Sequence, residues 1–414
     1  MIYIFYIVSL LGVWFFVFKR STFDFVSAGY FGCIVYFMPG FHGLLFNPYY
    51  PDDFPIEPIS TATYLVWIGA LGGAVLTGIL YNPLPALSVQ QKQTTRPFTT
   101  PAANAVIVAL LLISFVVALL VGGEDLFSPD KNDVLNVQDR SIILFATLSQ
   151  VTLVLFIVQK QYIMAMPSIL CVAFLVFIGF RSELAIAAFC IFVWIAYRDG
   201  VRSFFKVRNI FTLVSIVMFL FAYKFVYANV KLGRWDLVFQ TLGDRDFLAN
   251  IFLKSEPFIT QSILKEVIER DFSIPIESFL SSLISVIPLS NVLTTISIDQ
   301  VKFDFQDQLF PNLRYGVASN IYANFYAAMG YIGILIYIVI QNAALVSISR
   351  YMRKTDSFAK LALALVGSFI AFYIHRNDVA NSITLINRIL YSCLALWIVT
   401  RTVAALEPSD EPQP

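Results

Sequence analysis

The sequence predicts an all-α polytopic integral membrane protein, with about 11 transmembrane helices and one large loop that contains amphipathic helices. Of its 414 residues, 58% are hydrophobic and 13% are charged, which is more apolar surface than a water-soluble domain of this length buries. Long apolar stretches recur along the chain, and Lys and Arg concentrate in alternate gaps between them. The net charge of +1 indicates neither a nucleic-acid partner nor a strongly basic membrane-surface protein.

A helix needs about 20 mostly apolar residues to cross the hydrocarbon core of a bilayer. Eleven stretches reach or approach this length: about 1–18, 25–46, 63–81, 103–123, 141–158, 162–180, 183–197, 210–227, 318–346, 359–374 and 385–401. The sixth and seventh are divided at Arg181, because one helix through both exceeds the thickness of a membrane. The first span is expected to be retained, since no small-residue cleavage site follows it.

Short loops rich in Lys and Arg mark the cytoplasmic side of a membrane. With eleven spans, the basic loop residues fall on one side: Lys19, Arg20, Lys92, Arg96, Lys160, Arg198, Arg202, Lys206, Arg208, Arg350, Arg353, Lys354, Lys360 and Arg401. The opposite short loops hold mainly acids: Asp52, Asp53, Glu57, Glu124, Asp125, Asp130, Asp133 and Asp139. The C-terminus is therefore predicted to be cytoplasmic, and the N-terminus and the large loop are predicted to lie outside.

The chain divides into four regions. They are an N-terminal membrane part with about eight helices, the large loop, a C-terminal membrane part with about three helices, and a polar tail: 1–227, 228–316, 317–401 and 402–414. Two loop segments have apolar residues at helical spacing, one around Ile263 to Ile268 and one from Ile276 to Ile287, before Pro288. Because the loop is too apolar for disorder, we expect it to be a structured lid or platform.

Cysteine and histidine give little indication of chemistry. All four cysteines lie inside spans, which is typical of packing residues: Cys33, Cys171, Cys190 and Cys393. The two histidines, His42 and His375, lie near the outer ends of spans, and two histidines without loop cysteines argue against a zinc site. The sequence predicts no metal site and no cofactor.

Lys and Arg are uncommon at the outer ends of membrane spans, so those that occur there are candidates for a function. Five are found in such positions: Arg181, Lys224, Arg314, Arg376 and Arg388. Any single one could extend to the headgroups or pair with an acid such as Glu183 or Asp378. Together they indicate an anion site, and the guanidinium fork suits a diphosphate, with carboxylates and anionic lipid headgroups as alternatives.

Four motifs and the position of the large loop allow a comparison with known families. The motifs are Gly179-Phe180-Arg181-Ser182, Ser255-Glu256-Pro257-Phe258, the segment Tyr315-Gly316-Val317-Ala318-Ser319-Asn320 with Asn324-Phe325 and Gly330-Tyr331-Ile332-Gly333, and His375-Arg376-Asn377-Asp378. The chain resembles the bacterial oligosaccharide repeat-unit polymerases, the Wzy-type O-antigen and capsule polymerases, which also have many spans and one large periplasmic loop in the C-terminal half. Some members carry spaced Arg and Gly residues in two outer loops, and neither Arg181 nor Arg314 is followed by Gly in that way.

The resemblance implies a glycosyltransferase of the bacterial cytoplasmic (inner) membrane that acts on the periplasmic face. It joins oligosaccharide repeat units linked to undecaprenyl diphosphate into O-antigen (lipopolysaccharide) or capsular polysaccharide. The growing glycan leaves its diphosphate and is transferred to a new lipid-linked unit. Implied partners are the lipid-linked oligosaccharide as donor and acceptor, membrane lipids, a chain-length regulator and a flippase; no nucleotide sugar, metal or cofactor is required.

The resemblance also implies roles for individual residues. The diphosphate is expected to be held by Arg181, Arg314 and Arg376, with Arg388 or Lys224 behind them. The candidate bases for the acceptor hydroxyl are His375, Asp378, Glu183 and Asp304. The candidate glycan-binding residues are Tyr315, Asn320, Asn324, Trp235 and Tyr227. As alternatives, His375 is a polar anchor, the two asparagines cap and tie helices, and the aromatic residues belong to interfacial belts.

Three other functions stay open at this point. A ligase that moves finished glycan from the same lipid to another acceptor shares the spans, the loop and the arginines. A flippase or transporter differs, since it should have internal repeats and charged residues near the middle of the spans, whereas these spans are nearly free of charge there. A membrane acyltransferase would depend on His42, which faces away from cytoplasmic acyl donors.

Overall fold

The computed structural model describes most of the chain, and almost all of its regular structure is helical. The described residues are 1–20, 22–46, 56–82, 99–129, 133–134, 140–199, 206–245, 247, 255–287, 305–306, 308–310, 319–354 and 358–407. The predicted all-α class is confirmed, with one small addition, a two-stranded antiparallel ribbon.

The N-terminal part contains the ribbon and the first nine helices that we number. Their bounds are α1 (Ile2–Trp14, extended by a π-helical turn Phe15–Lys19), α2 (Phe25–Tyr36), α3 (Pro39–His42), β1 (Leu44–Phe46), β2 (Ile56–Pro58), α4 (Thr61–Leu80), α5 (Pro101–Gly122, followed by a 3-10 turn Gly123–Phe127), α6 (Arg140–Val158), α7 (Tyr162–Phe177), α8 (Ser182–Asp199) and α9 (Val207–Lys231).

The remaining helices belong to the large loop and to the C-terminal part. Their bounds are α10 (Trp235–Leu242), α11 (Glu256–Glu269), α12 (Ile276–Leu283, followed by a 3-10 turn Ile284–Val286), α13 (Ile321–Lys354), α14 (Phe358–Ala371, followed by a 3-10 turn Tyr373–Arg376) and α15 (Val379–Leu406). Helix α14 lies at the centre, where it packs against α2, α8, α13 and α15.

Six of the described helices are long and apolar enough to cross a membrane, or seven if the bent pair Val207–Leu220 and Phe225–Lys231 forms one span. Three shorter apolar helices, α2, α7 and α14, lie at further predicted spans, and α8 lies at another. Each predicted span therefore coincides with a helix. The division at Arg181 is also confirmed, because α7 ends at Phe177 and α8 begins at Ser182.

The second predicted span is shorter than its sequence indicates. Helix α2 ends at Tyr36, and the chain then forms the short helix α3 and strand β1 instead of continuing to residue 46. Pro39 has no amide hydrogen to continue a helix, and Gly43 adopts φ +81°, a left-handed conformation that suits glycine. Hydrophobicity alone marked this segment as transmembrane, whereas α2 ends shortly before Pro39 and Gly43 ends the short helix α3.

The ninth predicted span is broken near its start. Gly330 in α13 has φ +60° and ψ −148°, which divides the helix into two segments. The backbone N–H of Ile274, which belongs to the large loop, donates to the carbonyl of Ala327 at 2.9 Å, just before the break. The break thus provides a carbonyl to which the large loop is attached.

Helix α11 of the large loop is buried among the long helices and does not lie on the surface. A helix was predicted around Ile263 to Ile268, but it begins earlier, at Glu256. Two of its charged residues are also buried, since Lys265 and Glu266 are each only 5% exposed. Trp67 of α4 donates through Nε1 to Oε1 of Gln261 at 2.7 Å, and Asn320 donates to the carbonyl of Thr260 at 3.0 Å. Since buried polar groups are costly unless paired, these bonds allow α11 to pack among the long helices.

Contacts between loops sort the helix ends into two groups. At one end, Lys265 of α11 contacts Glu57 of the ribbon at 2.6 Å, and Lys231 of α9 donates to the carbonyl of Ser128 at 2.7 Å. The sequence predicted all of these ends to lie outside, and we call this the outer end.

The opposite group has its own contacts. Arg353 of α13 donates to Oγ1 of Thr22 at 3.2 Å, and Thr99 donates to Oε1 of Gln159 at 3.1 Å. These residues belong to ends that the sequence predicted to be cytoplasmic, and we call this the inner end. Each of these four contacts joins chain segments that the sequence predicts to lie on the same side.

Candidate functional site

A cleft at the outer end brings together two of the arginines that the sequence indicated. It has a volume of about 90 Å³ and is bordered by the turn between α7 and α8, the start of α11 and the 3-10 turn after α14. We call it the outer cleft, and its lining residues are Val134, Ile178, Gly179, Phe180, Arg181, Ser182, Glu256, Tyr373 and Arg376.

Arg181 is placed by the way helix α7 ends. Gly179 has φ +104°, and the backbone N–H groups of Gly179 and Phe180 donate to the carbonyls of Val176 and Leu175 at 3.0 and 2.8 Å. This is the Schellman arrangement, in which a left-handed glycine closes a helix. The reversal sets Arg181 immediately before α8, with its Nη1 donating to the carbonyl of Leu220 at 3.1 Å.

Arg376 reaches the outer cleft from the 3-10 turn between α14 and α15. Its guanidinium lies over the ring of Tyr373, with the Cζ atom 5.0 Å from the ring centroid. Burial raises the pKa of the Tyr373 hydroxyl to about 12, so the ring stays neutral beside the cation. The turn is fixed on its far side by Asp378, which caps α15.

Glu256 joins the two arginines and was given no role by sequence reasoning. Its Oε1 lies 3.8 Å from Nη2 of Arg181, and the same oxygen is in direct contact with Nη1 of Arg376. Burial lowers the pKa of the Arg376 guanidinium, but the carboxylate of Glu256 more than offsets this and the pKa is raised. The side chains of Arg181, Glu256 and Arg376 are 19%, 22% and 24% exposed, so the ion pairs are partly open to the cleft.

Glu183 and Arg388 lie close to each other. Neither lines the outer cleft, but Glu183 is within electrostatic reach of both Arg376 and Arg388. Ser182 donates to Oε2 of Glu183 at 2.9 Å. Arg388 and Arg376 therefore both act on the same carboxyl group, and the supporting role of Arg388 stays a prediction.

His375 does not have the exposure that its predicted role as a base requires. Its side chain is 0% exposed, and its Nε2 lies 3.8 Å from Sγ of Cys33. Its ring stacks on Tyr322, with the centroids 5.8 Å apart. Burial lowers the pKa of His375 to about 3, so the imidazole is neutral. In this environment it packs under the turn that carries Arg376, and it is not among the residues that line the outer cleft.

Three further candidates are engaged in tying helices together. Asp378 is 1% exposed and accepts from the backbone and side-chain nitrogens of Asn381 at 2.6 and 2.8 Å. Asn320 and Asn324 are both 0% exposed. Asn320 accepts from the backbone N–H of Tyr322, and Asn324 accepts from that of Val379. Their geometry matches the capping alternative, so we do not assign them to glycan or proton transfer.

The other candidates lie elsewhere or outside the described residues. Trp235 begins α10 and is 55% exposed, and it is not among the residues that line the outer cleft. Lys224 lies within α9, but its side chain is outside the described set. Arg314, Tyr315 and Asp304 are also outside the described residues.

Within the described part of the chain, no group of three or more His, Cys, Asp or Glu side chains is arranged to hold a metal ion. Comparison of the chain with family models, curated proteins and solved structures finds no match. The fold and the contacts of the outer cleft are therefore the basis for interpreting its chemistry.

The arrangement suits an anionic ligand. Two guanidinium groups from different turns lie near one carboxylate oxygen, a geometry that an oxygen of an anionic ligand could also occupy. Two positive groups and one negative group among the lining residues leave a net positive charge, and the three side chains are only about a fifth to a quarter exposed, so electrostatic attraction is stronger than at an open surface.

Proposed function

We propose that the protein is a membrane glycosyltransferase that polymerises oligosaccharide units linked to undecaprenyl diphosphate, and that the outer cleft binds the diphosphate. The observation that carries this proposal is the convergence of Arg181 and Arg376 on a single oxygen-anion position. The fold of long apolar helices supports a lipid-linked substrate, since such a substrate arrives from within the membrane.

The proposed reaction uses the arginines as electrostatic catalysts. When the growing glycan leaves, negative charge increases on the diphosphate oxygens, and preorganised guanidinium groups stabilise that charge. Arg181 is oriented by the carbonyl of Leu220, and Arg376 by the ring of Tyr373. On this proposal the membrane is the bacterial cytoplasmic membrane, and the outer end faces the periplasm.

The test is the glycan ladder on cells that lack the gene and carry a plasmid copy. We expect wild type to restore long polymer, and Arg181→Ala or Arg376→Ala to lower polymer by about 100-fold or more, as removal of a preorganised transition-state donor does. Arg401→Ala is the matched control, because this guanidinium also lies over a ring, that of Trp397, but does not line the cleft. All variants are compared at equal amounts of protein in the membrane.

Each other outcome identifies a different function. Long glycan stranded on the lipid carrier in the deletion strain would indicate a ligase. Unchanged surface glycan with altered solute uptake would indicate a transporter. Full polymer from both arginine variants would contradict the proposed use of the outer cleft.

A further inference from the structure

Glu256 is the acidic residue among those that line the outer cleft, so a ligand bound there would lie beside its carboxylate. It is the first residue of α11, and α11 is fixed among the long helices through Gln261 and Thr260. Its backbone is therefore held in place. Its side chain, 22% exposed, borders the cleft, where it contacts Arg376.

A diphosphate and Glu256 compete for the same N–H groups. The carboxylate contacts Nη1 of Arg376, and the same oxygen lies 3.8 Å from Nη2 of Arg181, so both guanidinium groups lie near one oxygen position. A diphosphate carries more charge and more acceptor oxygens than a carboxylate, and it binds the same forks bidentately. Binding of the diphosphate therefore displaces the Glu256 carboxylate from the arginines but leaves it beside the site.

Displacement changes the chemistry of the carboxylate. Beside two guanidinium groups its charged form is stabilised, and such a carboxylate is a weak proton acceptor. After displacement, the same group is half-buried and next to the negative charge of the diphosphate, and both conditions favour its protonated form. The carboxylate becomes a better base only when the leaving group is in place.

We propose that Glu256 accepts the proton of the acceptor hydroxyl during glycan transfer; this inference rests on the proposed function. The acceptor hydroxyl oxygen forms a bond to the anomeric carbon of the growing glycan, and the bond from that carbon to the diphosphate oxygen breaks. The bonding electron pair stays on the diphosphate, which Arg181 and Arg376 hold, and the hydroxyl proton moves to the Glu256 carboxylate.

Among the described residues, the other acid and base candidates are less well placed. His375 is 0% exposed and Asp378 is 1% exposed, and each is packed within the protein. Glu183 does not line the outer cleft and accepts a hydrogen bond from Ser182. Glu256 alone among these four combines a position in the cleft with partial exposure.

The experiment separates binding from transfer by comparing Glu256→Gln with Glu269→Gln. Glu269 lies on the same helix but pairs with Lys265 at 3.0 Å and does not line the cleft. Binding of undecaprenyl diphosphate, used as the probe, is measured by native mass spectrometry on the purified full-length protein in detergent. Transfer is measured as polymer on complemented cells.

We expect Glu256→Gln to lower polymer by at least about 100-fold, as loss of a general base does, while it binds the probe as tightly as wild type or more tightly. Glu256→Asp should retain part of the transfer, and Glu269→Gln should match wild type in both measurements. If the Gln variant fails to accumulate in the membrane, the Asp variant and Glu256→Ala provide the same comparison.

Two results would overturn the inference while the proposed function stands. Normal polymer from Glu256→Gln would show that the carboxylate takes no proton. Loss of probe binding in Glu256→Gln, with binding in wild type, would show that Glu256 serves to build the site. If wild type itself fails to bind the probe, the proposed function fails, and the inference fails with it.

Discussion

The inner and outer ends of the molecule both hold arginines at the ends of long helices, but they hold them differently. At the inner end, Arg20 pairs with Asp24 at 2.8 Å, and the two side chains are 0% and 1% exposed. The guanidinium of Arg20 also lies over the rings of Phe16 and Tyr81. This inner pair is closed to any ligand.

At the outer end, the pairs of Arg181 and Arg376 with Glu256 are about a fifth to a quarter exposed and border a cleft. An arginine at a span end therefore indicates an anion site only when its partner can be displaced. A buried partner makes the pair an anchor, while an accessible partner makes it exchangeable.

The largest expected effect is on stability at the inner end. Asp24→Ala leaves the buried Arg20 without its carboxylate and removes the cap that accepts from Val26 and Ser27. We expect it to lower the free energy of unfolding by about 3–5 kcal/mol. Denaturant titration of the purified protein in detergent measures the change.

The double variant Arg20→Met with Asp24→Asn is the control for that prediction. It removes both charges, keeps an N-cap acceptor, and should recover most of the lost stability. If Asp24→Ala alone were as stable as wild type, the inner pair would not be an anchor.

The second expected effect concerns pH at the outer end. Because burial lowers the pKa of folded His375 to about 3, below the usual value near 6.5, the unfolded chain takes up the proton first as pH falls. His375 thus costs no stability above pH about 6.5, and stability falls progressively from there down to pH about 3. At pH 5 the loss from this residue is about 2 kcal/mol relative to pH 7.

Unfolding of wild type and His375→Gln at several pH values measures this contribution. The variant should lose stability less steeply than wild type between pH 7 and pH 5. Parallel curves would show that His375 is not held neutral in the folded protein.

The third expected effect distinguishes charge from geometry in the outer cleft. Arg376→Lys keeps the positive charge but loses the planar fork, so we expect polymer to fall by about 10-fold. Arg350→Lys is the control, since Arg350 lies over Tyr81 at the inner end, and its polymer should match wild type. Equal polymer from both variants would show that the fork at Arg376 is not required.

The smallest expected effect is that of Trp235→Ala. This residue was a sequence candidate for glycan binding, but it does not line the outer cleft. We expect polymer to change by less than about twofold, as is usual for an exposed position away from a site. A loss as large as that of Arg376→Ala would place glycan contacts on α10.

Hydrophobic length and charge were sufficient to predict a helix at each long apolar stretch, because each span is a local property of the chain. The short helices α3 and α10 were not predicted. The division at Arg181 was predictable for the same reason. The end of α2 before Pro39 and the break of α13 at Gly330 were missed. Both lie within apolar stretches, where the length of the hydrophobic run was given more weight than the proline and the glycine.

The site was predicted only in part. Arg181 and Arg376 were found because outward cations are unusual, and they do meet. Glu256 was missed because an acid in an outer loop is ordinary, and its partners come from distant parts of the sequence. His375 was favoured as a base because it lies next to Arg376, whereas the fold turns the two side chains to different environments.

The most direct test of the central claim is binding of undecaprenyl diphosphate to purified wild type, to the double variant Arg181→Ala with Arg376→Ala, and to Arg401→Ala. We expect wild type and Arg401→Ala to bind undecaprenyl diphosphate equally tightly. The double variant should bind it at least about 100-fold more weakly, because it lacks both guanidinium groups of the cleft. Equal binding by all three folded proteins would contradict the claim that the outer cleft is the diphosphate site.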